Sequence, residues 1–527
     1  MRLIVASYYD ETFVPVVREL CKRAGWQVCD WLSAYPSQDP AISPQRAFPG
    51  AMVHVPQDAA RGLLPPTARS IALPEPDADV LRRMAPYETM FLRMLDIYDP
   101  DGRSFTARER REAYYALLRY GLYILREHRP TLFLAGTIPH SLHDYMLYAV
   151  CKAHGIDTLI YLAFTIPGYL LLMPDVDDGT RRLRAVYRRM LADEERASPP
   201  LPAHLEAYLA KVQANYAVGE PWYSRLRDHS LLGQTAPGPL REALHSMLAW
   251  VARARWIMQA PGTRLRQYFS QPLTDFFKMP GRSLKDSRTT LYELDRIRRR
   301  GLRTKRRLLE LYRQLQRKPD LTLPYLFVPL QYQPEATTSP LGGSYIDQIL
   351  MIRMLSRYLP QEWKICVKEH RTTFDPELRG EFARDEAYYR EIASLPNVML
   401  VPMEHDSFEL IDSCRAVATV TGTAAWEALA RGKPAIAFGN AWYRDCDGAF
   451  DGSTEAGCRQ ALAAIAGGVR PDPARVRLFL HALAEVCVRA DRDTSYVLTD
   501  LSPEQSRRAL IDHILREHAL LAPKAAA

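Results

Sequence analysis

Residues 416–439 constrain this chain more than any other stretch. Residues 416–420 are an apolar run of strand length that stops abruptly at Thr421-Gly422-Thr423. Residues 424–430 then read as a helix, ended by Gly432 and Pro434, and residues 435–438 read as a second strand. Strand, polar turn, helix and strand in so short a span make one unit of a parallel sheet, because parallel neighbours are joined only through a crossover. The turn also carries chemistry. A helix start leaves amide N–H groups without intrahelical acceptors, and Thr421 and Thr423 add hydroxyl donors, a setting that favours a phosphate. Glu427, one turn further in, is placed to accept from sugar hydroxyls. The same residues have a plainer use, in which Thr423 caps the helix and Gly422 only makes the turn.

Similar units occur on both sides of this stretch. Residues 2–6, 13–24 and 26–32 alternate strand, helix and strand, and a short strand follows at 51–55 within a Pro-rich segment. Thr106 and Glu109 form a capping box that starts a helix running to about residue 127. A further unit joins a strand at 131–135, the turn Gly136-Thr137-Ile138-Pro139-His140, a helix at 142–154 and a strand at 158–162. His140 stands just past a strand end, where open α/β sheets bind ligands, and Asp144 lies one helical turn on. The two are candidate acceptor-binding residues; a helix cap and a surface histidine are the plainer assignment.

A second series opens at 323, with strands at 325–330, 363–368, 398–401, 416–420 and 435–438 separated by helices. Between the two series the pattern is helical, including 239–258 and 289–316, with breaks at Pro199-Pro200, Pro261-Gly262 and Pro280-Gly281. There Tyr268, Phe269, Phe276 and Phe277 mingle with Arg264, Arg266 and Lys278, which suits an interfacial segment or a packed insert. The expected fold is therefore α/β: Rossmann-like, doubly wound parallel-sheet domains at 1–178 and 321–527, with a helical insert at 179–320.

Composition narrows the function. A chain of 527 residues exceeds one ordinary core, and 47% hydrophobic with 25% charged residues suits a globular protein. Met1-Arg2-Leu3-Ile4-Val5 begins a strand rather than a signal peptide, and the best candidate for a membrane span, 159–173, is too short and contains Pro167 and Gly168. The eight Cys show no Cys-x-x-Cys spacing, which implies reduced thiols, a cytoplasmic location and no zinc site. The net charge of +8 is concentrated at 296–318, where eleven Arg and Lys face the single acid Glu310. That segment would be drawn to an anionic membrane surface, at the inner face of the membrane, or is simply a solvated helix face. No nucleic-acid recognition module accompanies it, so nucleic acid is not an expected partner.

In the second series polar residues gather at strand carboxyl ends. Gln331, Gln333 and Glu335 follow the first strand, Lys368, Glu369 and His370 the second, and Glu404, His405 and Asp406 the third. Thr421, Gly422 and Thr423 follow the fourth, and Gly439 and Asn440 the fifth. In a parallel sheet these ends share one edge, so the groups should line one crevice. Walker A, Gly-x-Gly-x-x-Gly and Gly-x-Ser-x-Gly patterns are missing, which argues against ATPase, dehydrogenase and serine-hydrolase chemistry. Scattered Asp-x-Asp pairs do not imply a metal. A phosphate cradle faced by a histidine and carboxylates suits group transfer from a nucleotide-linked donor.

Val367-Lys368-Glu369-His370, Val420 through Leu429, and Gly432-Lys433-Pro434 through Phe438-Gly439 together resemble the bacterial capsule polysaccharide biosynthesis family, over about residues 323–445. The tandem domains resemble the GT-B glycosyltransferase architecture. The family includes Kdo transferases, which use CMP-Kdo to build lipid-linked glycans. The resemblance implies a glycosyltransferase with no cofactor, a CMP- or UDP-linked nucleotide-sugar donor, and a lipid-linked or oligosaccharide acceptor. In the Kdo enzymes a Gln-rich loop ends in a catalytic acid, and Gln331-Tyr332-Gln333-Pro334-Glu335 resembles it, with Glu in place of Asp. Carried over, Glu335 is the catalytic carboxylate, His370 and Thr421–Thr423 hold the donor phosphate, and Glu427 contacts the donor. Gln331, Gln333, Lys368 and Glu369 line the same site. Arg371 stands where the family pattern has Pro. No metal is needed if His370 and the helix start supply the positive potential. A nucleotide-sugar epimerase of the same form and a non-catalytic scaffold of polysaccharide assembly or export are the alternative readings.

Overall fold

The stretches expected as strands do pair, and almost all pair in parallel. The computed structural model describes the chain except for residues 36, 38, 100–104, 194–199, 215–257, 259–290, 334, 377, 493–497 and 522–527. The first sheet is built from β1 (Arg2–Tyr9), β2 (Gln27–Tyr35), β3 (Met52–His54), β4 (Leu132–Ala135), β5 (Asp157–Ala163) and β6 (Tyr169–Met173). The second contains β7 (Tyr325–Pro329), β8 (Lys364–Lys368), β9 (Val398–Leu400), β10 (Ala416–Thr419), β11 (Ala435–Ala437) and β12 (Ala449–Asp451). The last strand, β13 (Val488–Arg489), returns to the first sheet. The orders are β3-β2-β1-β4-β5-β6-β13 and β9-β8-β7-β10-β11-β12. The second sheet is parallel throughout, and the first is parallel from β3 to β5. Each winds outward in both directions from its first strand, so each has one switch point, between β1 and β4 and between β7 and β10. Two such domains in one chain make the α/β, GT-B-like fold expected from the strand pattern.

Three strands were not foreseen. β6 pairs antiparallel with β5, so the apolar run at 159–173 is a buried hairpin, turned at Gly168. Gly168 has φ +74, and a Cβ there would lie 2.2 Å from the Thr499 methyl, so only glycine fits. β12 extends the second sheet beyond the five expected strands. β13 and the helix Pro503–Ala519 pack on the first domain, although the boundary at 321–527 placed them in the second. The physical reason is the helix's apolar face: Leu510, Ile511 and Ile514 are buried with Leu3, Val5, Val14 and Val17.

The domains share a continuous apolar cluster. The indole of Trp426, fully buried, donates to the Tyr208 hydroxyl at 2.9 Å, and Trp442 stacks on Phe164 with ring centroids 5.0 Å apart. In the insert, the helices Arg181–Ala192, Ala203–Gln213 and Leu291–Leu315 are observed, whereas the helix expected at 239–258, except for Met258, the aromatic and basic stretch at 264–278 and the breaks at 261–262 and 280–281 lie outside the described residues. The basic run has two faces. Leu308, Leu309, Leu311 and Tyr312 are buried in the second domain's core, and Lys305, 2% exposed, donates to the Asp375 carbonyl at 2.7 Å and to the Leu378 carbonyl. Arg303, Arg313, Arg317 and Lys318 are exposed. Among the described residues no helix is long and apolar enough to cross a membrane.

One polar network inside the first domain has no signature in the sequence. Asp30 on β2 accepts from His54 at 2.9 Å and from His128 at 2.7 Å, and the Tyr120 hydroxyl meets the other nitrogen of His54 at 2.7 Å. The hydrogen bond to Asp30 raises the pKa of His128 above its usual 6.5, against the opposing effect of burial. A raised folded-state pKa gives stability that is complete below about 6.5 and is lost as pH climbs through the folded value. Urea titrations from pH 6 upward should therefore show a component of declining stability that His128→Gln lacks; parallel curves for the two proteins would refute the linkage.

Candidate active site

The crevice between β7 and β10 is bridged by Gln331. Its side-chain oxygen accepts from the Thr421 amide at 2.9 Å, and its side-chain nitrogen donates to the Thr421 hydroxyl at 3.0 Å. Its own backbone is fixed by Gln348, which accepts from the Gln331 amide at 2.8 Å and donates to its carbonyl at 2.9 Å. The loops after β7 and β10 thus lie on one edge and are tied together. The Thr421 hydroxyl in turn donates to the Thr337 carbonyl at 2.5 Å. Gln331 and Thr421, expected as donor contacts, are therefore engaged with each other and with the loop frame.

Gly422 is required by space rather than by backbone angle. Its φ is −68°, open to any residue, but a Cβ would sit 2.7 Å from the Thr419 hydroxyl, which accepts the Gly422 amide at 3.2 Å. The helix begins at Thr423 with Gly422 as its N-cap, so Thr423 does not cap it. The first amides, at Thr423 and Ala424, have no intrahelical acceptor. Glu427, half-buried in this short helix, lies close enough to Tyr208 and Tyr443 to act on both; burial first, and the Glu427 charge in addition, push both phenols up.

The residues after β8 divide into frame and face. Glu369 is 1% exposed and accepts from Arg384 at 2.6 Å, Tyr389 at 2.8 Å, the His370 amide at 2.8 Å and Thr373 at 3.1 Å. Burial alone would raise its pKa, but the Arg384 charge and these bonds hold it below the ordinary carboxylate value. Glu369, expected to line the site, is thus enclosed within the loop frame. Lys368 points to the third loop, donating to the His405 carbonyl at 2.5 Å and the Ser407 hydroxyl at 2.7 Å, and burial, with Arg371 nearby, lowers its pKa to about 8. Gln333, half-buried, is bonded into the same frame: it donates to the Ile346 carbonyl at 2.6 Å and accepts from Arg384 at 2.9 Å. His370 is half-buried at the start of a short turn of helix, its Nδ1 2.6 Å from the Thr372 hydroxyl. Glu335, also half-buried, accepts from the Thr337 hydroxyl at 2.7 Å. Of the expected site residues, Glu335, His370, Gly422, Thr423 and Glu427 are half-buried, whereas Gln331, Lys368, Glu369 and Thr421 are buried and bonded into the loop frame.

In the first domain a cavity opens at the switch point between β1 and β4, lined by Ser7, Tyr8, Ser33, Thr137, His140 and Asp144. Asp144 caps its own helix by accepting from the Ser141 amide at 2.7 Å, and burial raises its pKa to about 6. His140 hydrogen-bonds the Ile138 carbonyl at 2.7 Å through Nδ1. Asp144 thus caps its helix and also lines the cavity. Two residues at these sites escaped the sequence reading. Arg384 belongs to no motif, and Arg492 reaches from the C-terminal segment to lie over the Tyr8 ring at 5.0 Å and donate to Thr137 at 3.3 Å. Only the tertiary fold brings Arg492 to a cavity built from the first 144 residues. Among the described residues no cluster of His, Cys, Asp or Glu could hold a metal ion.

Residues 287–458 match the family model described as capsule polysaccharide biosynthesis protein. Over this segment the chain is similar to the capsule polysaccharide biosynthesis family. The capsule segment covers about a third of the chain and includes every rim residue of the second domain. No curated protein matches the chain. Among solved structures, the chain is similar to the beta Kdo 2,7 transferase of Thermosulfurimonas dismutans KpsC, at 17% identity over 40% of this chain and 62% of that one, with a TM-score of 0.23. The present chain thus spans less than two thirds of that structure. It is also similar to the beta Kdo 2,4 transferase of the same KpsC, at 11% identity over 73% and 87% of the two chains with a TM-score of 0.29. A UDP-GlcNAc 2-epimerase from Neisseria meningitidis, bound to UDP-GlcNAc, matches at 11% identity over 99% and 100%, with a TM-score of 0.21.

The packing at Gly422 gives a direct check. Gly422→Ala should destabilise the protein by about 1–3 kcal/mol, because the added methyl must push the Thr419 hydroxyl out of place, read as a fall in urea midpoint at unchanged slope. An unaltered midpoint would mean that the turn is looser than its contacts indicate.

Proposed function

We propose that this chain is a metal-independent glycosyltransferase that moves a sugar of the Kdo type from a CMP- or UDP-linked donor to a surface or capsular polysaccharide acceptor. The observation that carries the proposal is the coincidence of the capsule-family segment with a switch-point rim holding Glu335, His370 and an uncapped helix start. In the reaction an acceptor hydroxyl oxygen attacks the anomeric carbon, and the bond from that carbon to the donor phosphate oxygen breaks. Glu335 takes the hydroxyl proton as base, or in a two-step course acts first as the nucleophile. The negative charge left on the nucleotide phosphate is met by His370 and by the amides of Thr423 and Ala424, which the helix start already aims outward. The cavity of the first domain, with His140 and Asp144, is assigned to the acceptor. The exposed Arg303, Arg313, Arg317 and Lys318 would hold the protein against the inner, anionic face of the membrane, where a lipid-linked acceptor is found.

Turnover with CMP- and UDP-sugars tests the assignment. Glu335→Gln and His370→Ala should each lower the rate by about 10²-fold or more, while Glu335→Gln still binds the free nucleotide. Near wild-type rates in both would remove both residues from the mechanism. Conversion of a nucleotide sugar without any acceptor would favour the epimerase reading instead.

A further inference from the structure

We propose that Arg384 is a positioning residue that sets the gap between the loop bearing Glu335 and the turn bearing His370; the assignment of a catalytic effect rests on the transferase reading above. Arg384 is 5% exposed and lies just after the short helix Gly380–Ala383, in a segment whose sequence carries no motif. Its guanidinium makes bonds in three directions. Nε and Nη2 donate to the two oxygens of Glu369 at 2.6 and 3.3 Å. Nη2 also donates to the Gln331 carbonyl at 3.1 Å, and Nη1 to the Gln333 side-chain oxygen at 2.9 Å and the Ala383 carbonyl at 3.0 Å. The Tyr388 ring lies under the group at 4.7 Å. Through Glu369 the same cation reaches the His370 amide, and through Gln331 it reaches Thr421. The loops after β8, β7 and β10 are thereby referenced to one planar group.

Planarity is the reason this is more than an ion pair. A guanidinium presents five N–H donors in a fixed fork, so the positions of its acceptors are fixed relative to one another. A lysine ammonium at the same place keeps the charge beside Glu369 but cannot also reach Gln331 and Gln333 in that geometry. Misplacing a catalytic group by about 1 Å can cost on the order of a hundredfold in rate while leaving ground-state binding nearly intact. The segment is itself braced: a Cβ on Gly380 would lie 2.4 Å from the Thr373 backbone, and Glu381 pairs with Lys305 of the basic helix at 3.2 Å.

The experiment uses the full chain with Arg384→Lys and, because a buried charge change can unfold a protein, Gln333→Met, which removes one acceptor and leaves the ion pair. Thermal melting establishes that each variant is folded. Amide hydrogen exchange at Thr421 and steady-state kinetics with the nucleotide sugar are then read. The expected result is faster exchange at Thr421 in Arg384→Lys, and in both variants a kcat lowered by about tenfold or more with KM for the donor changed less than about threefold. Unchanged Thr421 exchange in Arg384→Lys, wild-type kcat in either folded variant, or a loss confined to KM would overturn the inference. If the wild-type protein transfers no sugar from any donor, the transferase reading fails, and the Thr421 exchange still decides whether Arg384 holds the rim.

Discussion

Where a parallel sheet reverses its winding, the loops on either side diverge and leave a gap whose width the backbone alone does not set. In the second domain that width is set by the Gln331 side chain, whose oxygen and nitrogen are matched to the amide and the hydroxyl of Thr421. Because donor and acceptor are both used, the amide has one orientation that satisfies it, and a flipped one would place two donors together. The open amides at Thr423 and Ala424 inherit their position from this clasp. A phosphate site made of backbone groups works only if the backbone is held before the ligand arrives, since binding energy used to order a loop is not available to hold the anion.

The buried charges serve the same end at a cost. Glu369 and Arg384 are both removed from water, and such a pair rarely adds net stability over a well-packed apolar substitute. It does impose geometry. Arg384 meets both oxygens of Glu369 and also reaches the loop after β7 at Gln331 and Gln333, so loss of either partner would leave the other charged and unsatisfied. Lys368, with its pKa lowered to about 8, does the same between the second and third loops. The polar residues of the rim thus fall into two sets: one is turned inward and fixes the spacing, and a smaller one is left at the surface of the crevice.

The two domains are joined by more than a linker. The chain returns at β13 and the helix Pro503–Ala519 to close the first domain, and Trp426, in the helix that follows the Thr-Gly-Thr turn, is bonded to Tyr208 of the insert. The basic helix Leu291–Leu315 is anchored by Lys305 to the segment that carries Arg384. An event at the exposed Arg face of that helix is therefore mechanically close to the rim.

The sequence alone determined the strands, their parallel pairing and the edge on which the polar loops gather. Those follow from local patterns: apolar runs of strand length, glycine and proline stops, and the rule that parallel neighbours need a crossover. Five strands in each half were readable this way; the short β12 and two-residue β13 were not, because so few residues carry no period, and β6 was not, because its apolar run continues that of β5. The sequence also placed Gln331, Glu369 and Thr421 at the right edge, yet it could not say which way each side chain turns. That depends on partners distant in the chain, such as Arg384 for Glu369 and Gln331 for Thr421. The same holds for Arg492 at the first-domain cavity and for the Asp30 network. Position along a strand is a local property, whereas the direction of a polar side chain is decided by what else is buried beside it, and only the tertiary fold brings those groups together.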